Sequence, residues 1–248
     1  MTYPRYWLWV LLLPLAGFMT VPNISVGRAE DEIKLATEDS KKSEARLLSR
    51  ARKLTFAGKR SGEGYFSADG KKLIYQSERL DDNPFYQIYL LDLESGDNQL
   101  VSTGTGKTTC AWIHPGGRKT LFASSHEDPE AKAKQKAELE FRESGKARKY
   151  SWDYDAWYDV YEKDLETGKL RNLTKARGYD AEGCYSPDGK LVVFASNRQA
   201  YEGHLSEKEK QILERDKSYF SDIYLMNADG SNQSRSWRRC TRFLRVTV

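Results

Sequence analysis

The chain has 248 residues, of which 39% are hydrophobic and 31% charged, with 40 basic and 36 acidic side chains, a formal net charge of +4 and three cysteines. Seven of the bases (Arg5, Arg28, Arg235, Arg238, Arg239, Arg242 and Arg245) lie at the two ends, whereas every acid falls between residues 30 and 230. The body is therefore mildly acidic, which argues against a nucleic-acid groove, and the wide spacing of Cys110, Cys184 and Cys240 implies neither a disulfide framework nor a metal set.

Residues 1–29 read as an export signal: Arg5 opens it, Trp7 to Phe18 is an apolar run, and Gly27-Arg28-Ala29 offers small residues for cleavage before Glu30. The run is short for a membrane span, so no span is expected after signal cleavage, and no cysteine is near enough for lipid attachment. An uncleaved anchor is the alternative, because Val21 extends the apolar stretch. Residues 30–51, rich in Glu, Asp, Lys and Ser, read as a charged linker or short helix.

From residue 52 to 232 one hairpin signature recurs three times. Phe66-Ser67-Ala68-Asp69-Gly70-Lys71 returns as Ile113-His114-Pro115-Gly116-Gly117-Arg118 and as Tyr185-Ser186-Pro187-Asp188-Gly189-Lys190. A hydroxyl residue (Thr55, Ser102, Thr174) stands twelve positions before each Ser or His, and a serine (Ser77, Ser124, Ser196) seven after each final Gly. Pro, Asp and Gly supply turn geometry. The β-branched and aromatic runs that follow, such as Leu191-Val192-Val193-Phe194, suit strands covered on both faces. Third strands begin at Ile88, Val160 and Ile223, each ending in a Gly turn before a short outer strand. Four short antiparallel strands per repeat predict an all-β fold, a partial β-propeller of about three four-stranded blades.

Two blades carry insertions between their second and third strands, and both predict helices. One runs from Glu130 to Glu143 with Asp128 as cap, Pro129 at its first position and Gly145 past its end. The other opens on the capping box Ser206-Glu207-Lys208-Glu209. Equivalent loops project from one face, which is where a partner site is expected. Eight residues after each hydroxyl marker lie Glu63, Cys110 and Glu182, at the mouth of the central channel, where two acids could receive a basic group or simply be solvated. Asp180 lies in the loop entering the same strand as Glu182. Trp152, Asp153, Tyr154 and Asp155, continued by Trp157, Tyr158 and Asp159, either grip a peptide or sugar or pack the insertion onto its blade.

The Ser186-Pro187-Asp188-Gly189 turn, Phe194-Ala195-Ser196-Asn197-Arg198, Asp222-Ile223-Tyr224-Leu225-Met226 with Asp229-Gly230, and Asn172-Leu173-Thr174 resemble the TolB-type propeller repeat, a relative of WD-type propellers. The third copy is the most faithful; the second has His114-Pro115-Gly116-Gly117 and the first has Ala68 in place of Pro. The resemblance implies a periplasmic, non-enzymatic protein-interaction module, like that of the Tol-Pal envelope system, whose partner is an envelope or periplasmic protein or peptide. Residues 30–51 are too short for the additional N-terminal domain of TolB. Such propellers also occur fused to hydrolases, so the alternative is the propeller of a secreted peptidase or other hydrolase whose catalytic domain is missing.

Chemical signatures are sparse. Gly104-Thr105-Gly106-Lys107-Thr108 lacks the first glycine of a phosphate loop, and a strand is expected after it. His114, His126 and His204 have no metal spacing, and neither Gly-x-Ser-x-Gly nor His-Glu-x-x-His occurs, so no cofactor or metal is expected. Residues 233–248 form a basic segment without acid, Gly or Pro, in which the repeat is lost where a fourth hairpin should open. This reads as a truncated or frame-shifted product, or as a plain basic tail, and an open ring predicts poor solubility.

Overall fold

The computed structural model describes residues 39–149 and 151–236. The chain divides into two compact units, Met1–Leu54 and Thr55–Val248. In the first, residues 39–47 form an exposed helix, in the segment expected to be a linker or short helix; the signal-like residues 1–29 and most of the basic tail lie outside the described residues.

The second unit contains three four-stranded antiparallel sheets, each a simple meander. Blade one is β1 (Arg60–Phe66), β2 (Lys72–Glu78), β3 (Gln87–Asp92) and β4 (Asn98–Leu100). Blade two is β5 (Thr108–Ile113), β6 (Lys119–Ser124), β7 (Asp159–Asp164) and β8 (Leu170–Asn172). Blade three is β9 (Asp180–Tyr185), β10 (Leu191–Ser196), β11 (Asp222–Asn227) and β12 (Ser234–Arg235). The described residues thus form a partial β-propeller of three blades. The outer strand of blade three extends into the segment read as tail, with Leu225 opposite Ser234 and Tyr224 opposite Arg235.

Each hairpin forms where its signature lies. Ser67 and Ser186 donate to Asp69 and Asp188, both at 2.6 Å, and accept the backbone N–H of Lys72 and Leu191. Gly70, Gly117 and Gly189 take the positive φ that the turn requires. In blade two His114 replaces the serine: its Nδ1 accepts the Gly116 N–H at 2.9 Å, and its ring packs edge-on against Tyr185 of blade three. The hydroxyl markers fasten the third strand. Ser102 Oγ accepts the Ile88 N–H and Thr174 Oγ1 accepts the Val160 N–H, both at 3.0 Å. At the equivalent place Ser236 donates its backbone N–H to the Ile223 carbonyl.

The core lies between blades. Ile74, Ile88, Leu90 and Val101 of blade one meet Ala111, Ile113, Phe122 and Tyr161 of blade two. Leu121, Val160 and Leu173 of blade two meet Tyr185, Val192, Phe194, Tyr224 and Met226 of blade three. At both interfaces the earlier blade presents aliphatic side chains, and the later one meets them with a face that includes Phe122 and Tyr161 or Tyr185, Phe194 and Tyr224.

The insertions stand between second and third strands, as expected. The first helix, α1, spans Ala131–Glu143; Glu130, not Asp128, holds the N-cap position, and Asp128 Oδ1 accepts the Glu130 N–H at 2.9 Å instead of capping inside the first turn. Gly145, at φ 66°, ends it. The second insertion holds a four-residue turn of helix, α2 (Gln199–Glu202), then α3 (Glu207–Arg215) and a 3-10 turn over Lys217–Phe220. The Ser206–Glu209 capping box is formed in both directions.

Candidate functional site at the channel mouth

Each innermost strand carries a bulge at the same place, where its register with the second strand slips. The bulged residues are Glu63, Cys110 and Glu182, with φ of 45°, 47° and 56°. Left-handed backbone at a residue with a Cβ costs about 1 kcal/mol or more, so three such residues in register hold strain that a plain strand would avoid. A bulge re-aims a side chain, and these three converge. Cys110 Sγ lies 2.9 Å from Glu63 Oε2 and 2.7 Å from Glu182 Oε2. Burial, and then the two carboxylates, push the Cys110 thiol far up, so it is an inert, protonated donor at neutral pH. Both glutamates are exposed, whereas Cys110 is buried.

A relay runs outward from this point. Tyr179 donates to Glu182 Oε1 at 2.9 Å and accepts the Trp152 indole N–H at 3.0 Å. Burial first, and then the charge of Glu182, pushes the Tyr179 phenol upward. Trp152 is 42% exposed, so its ring is fixed by the relay yet open to a ligand. Beside it lies a cavity of about 1170 Å³. Its walls include the first half of β1 (Arg60 and Glu63), Phe85 and Lys107, the end of α1 (Phe141 and Arg142) and the segment carrying Trp152 and Asp153.

Of the residues singled out by sequence, Glu63, Trp152 and Asp153 border the cavity and Glu182 joins them through Tyr179. Tyr154, Asp155 and Asp180 serve the scaffold. The Tyr154 ring packs edge-on against Tyr179. Asp155, 8% exposed, accepts from Lys107 and Lys134, both at 2.8 Å, and so ties α1 and its trailing segment to β5. Burial raises its carboxyl, but the two ammonium groups prevail and hold it at about 2. Asp180 is fully buried against Ser196 and Arg198, and burial pushes it up to about 6 against the pull of the guanidinium. The aromatic and acidic cluster thus both borders the cavity and packs the insertion.

Lys107 and Arg60 were not singled out as site residues by sequence. Lys107 sits in the glycine-flanked loop, followed by strand β5, with its ammonium 2.5 Å from Asp153. Its pairing spans 46 residues of sequence, and no local pattern announces it. Among the described residues no three His, Cys, Asp or Glu side chains are placed to hold a metal ion.

No protein-family profile matches the chain. Among curated proteins it is 25% identical over 151 residues to an uncharacterized peptidase, YuxL, of Bacillus subtilis (strain 168), covering 58% of this chain and 23% of the relative. It is 28% identical over 175 residues to a dipeptidyl-peptidase 5 of Porphyromonas endodontalis, covering 57% of this chain and 24% of the relative. The chain therefore spans about a quarter of the length of these relatives. Among solved structures it is similar to TolB from Acinetobacter baumannii (20% identity, 73% of this chain and 33% of that one, TM-score 0.46). It is also similar to the β-propeller domain of the Trilobed protease from Pyrococcus furiosus (12% identity, 75% of this chain and 44% of that one, TM-score 0.44).

Proposed function

We propose that this chain is an exported, non-enzymatic propeller module that binds a peptide segment of an envelope or periplasmic protein, in a TolB-like periplasmic role. The observation that carries this reading is the cavity beside the channel mouth, where the fixed Trp152 ring and the Glu63 carboxylate border one space. An apolar plate with nearby charged groups on a rigid scaffold is what recognition of an extended peptide needs. Glu63 and Glu182 receive a basic group of that peptide, and Trp152 stacks on an apolar one. Peptide arrays probed with the intact protein test this. Binders with Kd of about 10 μM are expected, weakened about tenfold or more by Trp152→Ala and by Glu63→Gln. Equal binding by wild type and both variants would overturn it.

A second reading is favoured by the peptidase names of the two curated relatives, of which this chain matches only about a quarter. In it the same cavity belongs to the propeller of a secreted peptidase and guides peptide to a catalytic domain elsewhere. Genomic sequence following this reading frame separates the two. A Gly-x-Ser-x-Gly motif supports the peptidase, and further Ser-Pro-Asp-Gly repeats before a stop support the binding module.

A further inference from the structure

We propose that the cavity seats a carboxylate of its ligand, so that the bound peptide is bipolar, with an acidic group in the cavity and a basic group at the channel mouth. This rests on the reading of the cavity as a peptide site, and it adds the sign of charge that the cavity selects.

Six cations line the space, namely Arg60, Lys107, Lys134, Arg142, Arg148 and Lys149, against three acids, Glu63, Glu138 and Asp153. The remaining counter-charges lie behind the wall. Glu78 takes Arg60 and Arg142, both at 2.7 Å, Asp128 takes Lys134 at 2.6 Å, and Asp155 takes Lys107 and Lys134. Those three acids are 1%, 4% and 8% exposed, and none of them borders the cavity. These pairs therefore keep their acids off the wall and their cations on it, whereas Glu138 pairs with Arg142 and Arg148, and Asp153 with Lys107, at the wall itself. Fixed dipoles so arranged favour an anion, and Phe85 and Phe141 line the same space with apolar rings.

The wall also has donors to spare. Arg60 pairs with Glu78 through Nε alone, its guanidinium lying over the Tyr86 ring 4.5 Å from the centroid. Arg148 reaches Glu138 through Nη2 alone. Lys149 is exposed and has no ion-pair partner among the described residues. A planar carboxylate suits two guanidinium forks and an ammonium; a basic group suits Glu63, whose Oε2 alone contacts Cys110.

The test uses the intact protein and four rhodamine-labelled nonapeptides that share one aromatic residue and one lysine near the N-terminus. They end in a free carboxylate, in an amide, in an amide after an internal aspartate, or in an amide after a second lysine. Fluorescence anisotropy is expected to show at least tenfold tighter binding of a carboxylate-bearing peptide than of the acid-free amide, and the advantage is expected to shrink with added salt. A gain with the free terminus alone identifies a C-terminal carboxylate, and a gain with the aspartate identifies a side chain. Lys149→Glu, at an exposed position, is expected to cut the advantage to below about threefold, and Arg60→Gln is expected to do the same with Glu78 still paired to Arg142. Equal binding of all four peptides, or tightest binding of the two-lysine peptide, overturns the carboxylate assignment while leaving the peptide site standing. Failure of all four to bind at millimolar concentration overturns both.

Discussion

Blades two and three are built on one repeat pattern and end in different surroundings. Leu121 and Val160 of blade two face blade three and are fully buried. Their counterparts by register are Val193, which is only half-buried, and Ile223, which is 53% exposed. Strand β6 is buried almost throughout, whereas β10 alternates between buried and open positions. The insertions differ in the same sense. Helix α1 buries Ala131 and Gln135 and reaches back to blade one through Arg142 and Glu78, whereas α3 buries nothing and depends on its own capping box. An apolar run therefore marks a face able to be covered, and a helical insertion marks a loop able to dock; neither says whether the cover is there.

The largest expected effect follows from truncating matched aliphatic positions. Leu121→Ala should destabilise by about 3 kcal/mol, because it leaves a cavity between two sheets. Ile223→Ala should change urea stability by less than about 1 kcal/mol, and Ile223→Lys should raise solubility by charging the open face. Equal losses at Leu121 and Ile223 would show that both faces are covered in solution.

Next comes the anchor of α1. Asp155→Asn should cost about 2–3 kcal/mol, toward the low end because Asp153 and Asp128 still serve Lys107 and Lys134. The Asp155 carboxyl is held below its ordinary value of 3.8, at about 2. Its stabilisation is therefore full above pH 4 and is lost as pH falls from about 4 through 2. Acid titration followed by denaturant unfolding should show this loss in wild type and a flatter profile in the Asn variant.

The smallest effect is expected at α3. Ser206→Ala removes the reciprocal cap and should cost about 1 kcal/mol, expressed as faster amide exchange within residues 207–215 with little change in global unfolding. A global loss there would mean that the second insertion is as deeply integrated as the first.

Much of the architecture is legible in the sequence. The three turns, the strand order, both insertions and the capping box depend on chemistry within about a dozen residues, so a local pattern carries them. The convergence of Glu63, Cys110 and Glu182 was also legible as a shared offset from the hydroxyl markers, although the left-handed residue itself is never a glycine, and glycines adjoin it at Glu63 and Glu182 but not at Cys110. What could not be read was the division of Trp152 to Asp155 between cavity wall and anchor. Trp152 and Asp155 stand three residues apart in one polar-aromatic stretch; Tyr179 fixes the first from 27 residues away, and Lys107 and Lys134 anchor the second from 48 and 21.

By itself the sequence determined the repeat, because turn geometry, strand covering and hydroxyl fastening each act over a few residues and recur at fixed intervals. Only the tertiary structure decided which faces are covered, which acids are sunk behind cations and which side chains border the cavity. Those outcomes depend on burial and on charges brought together across blades, and both are set by neighbours in space.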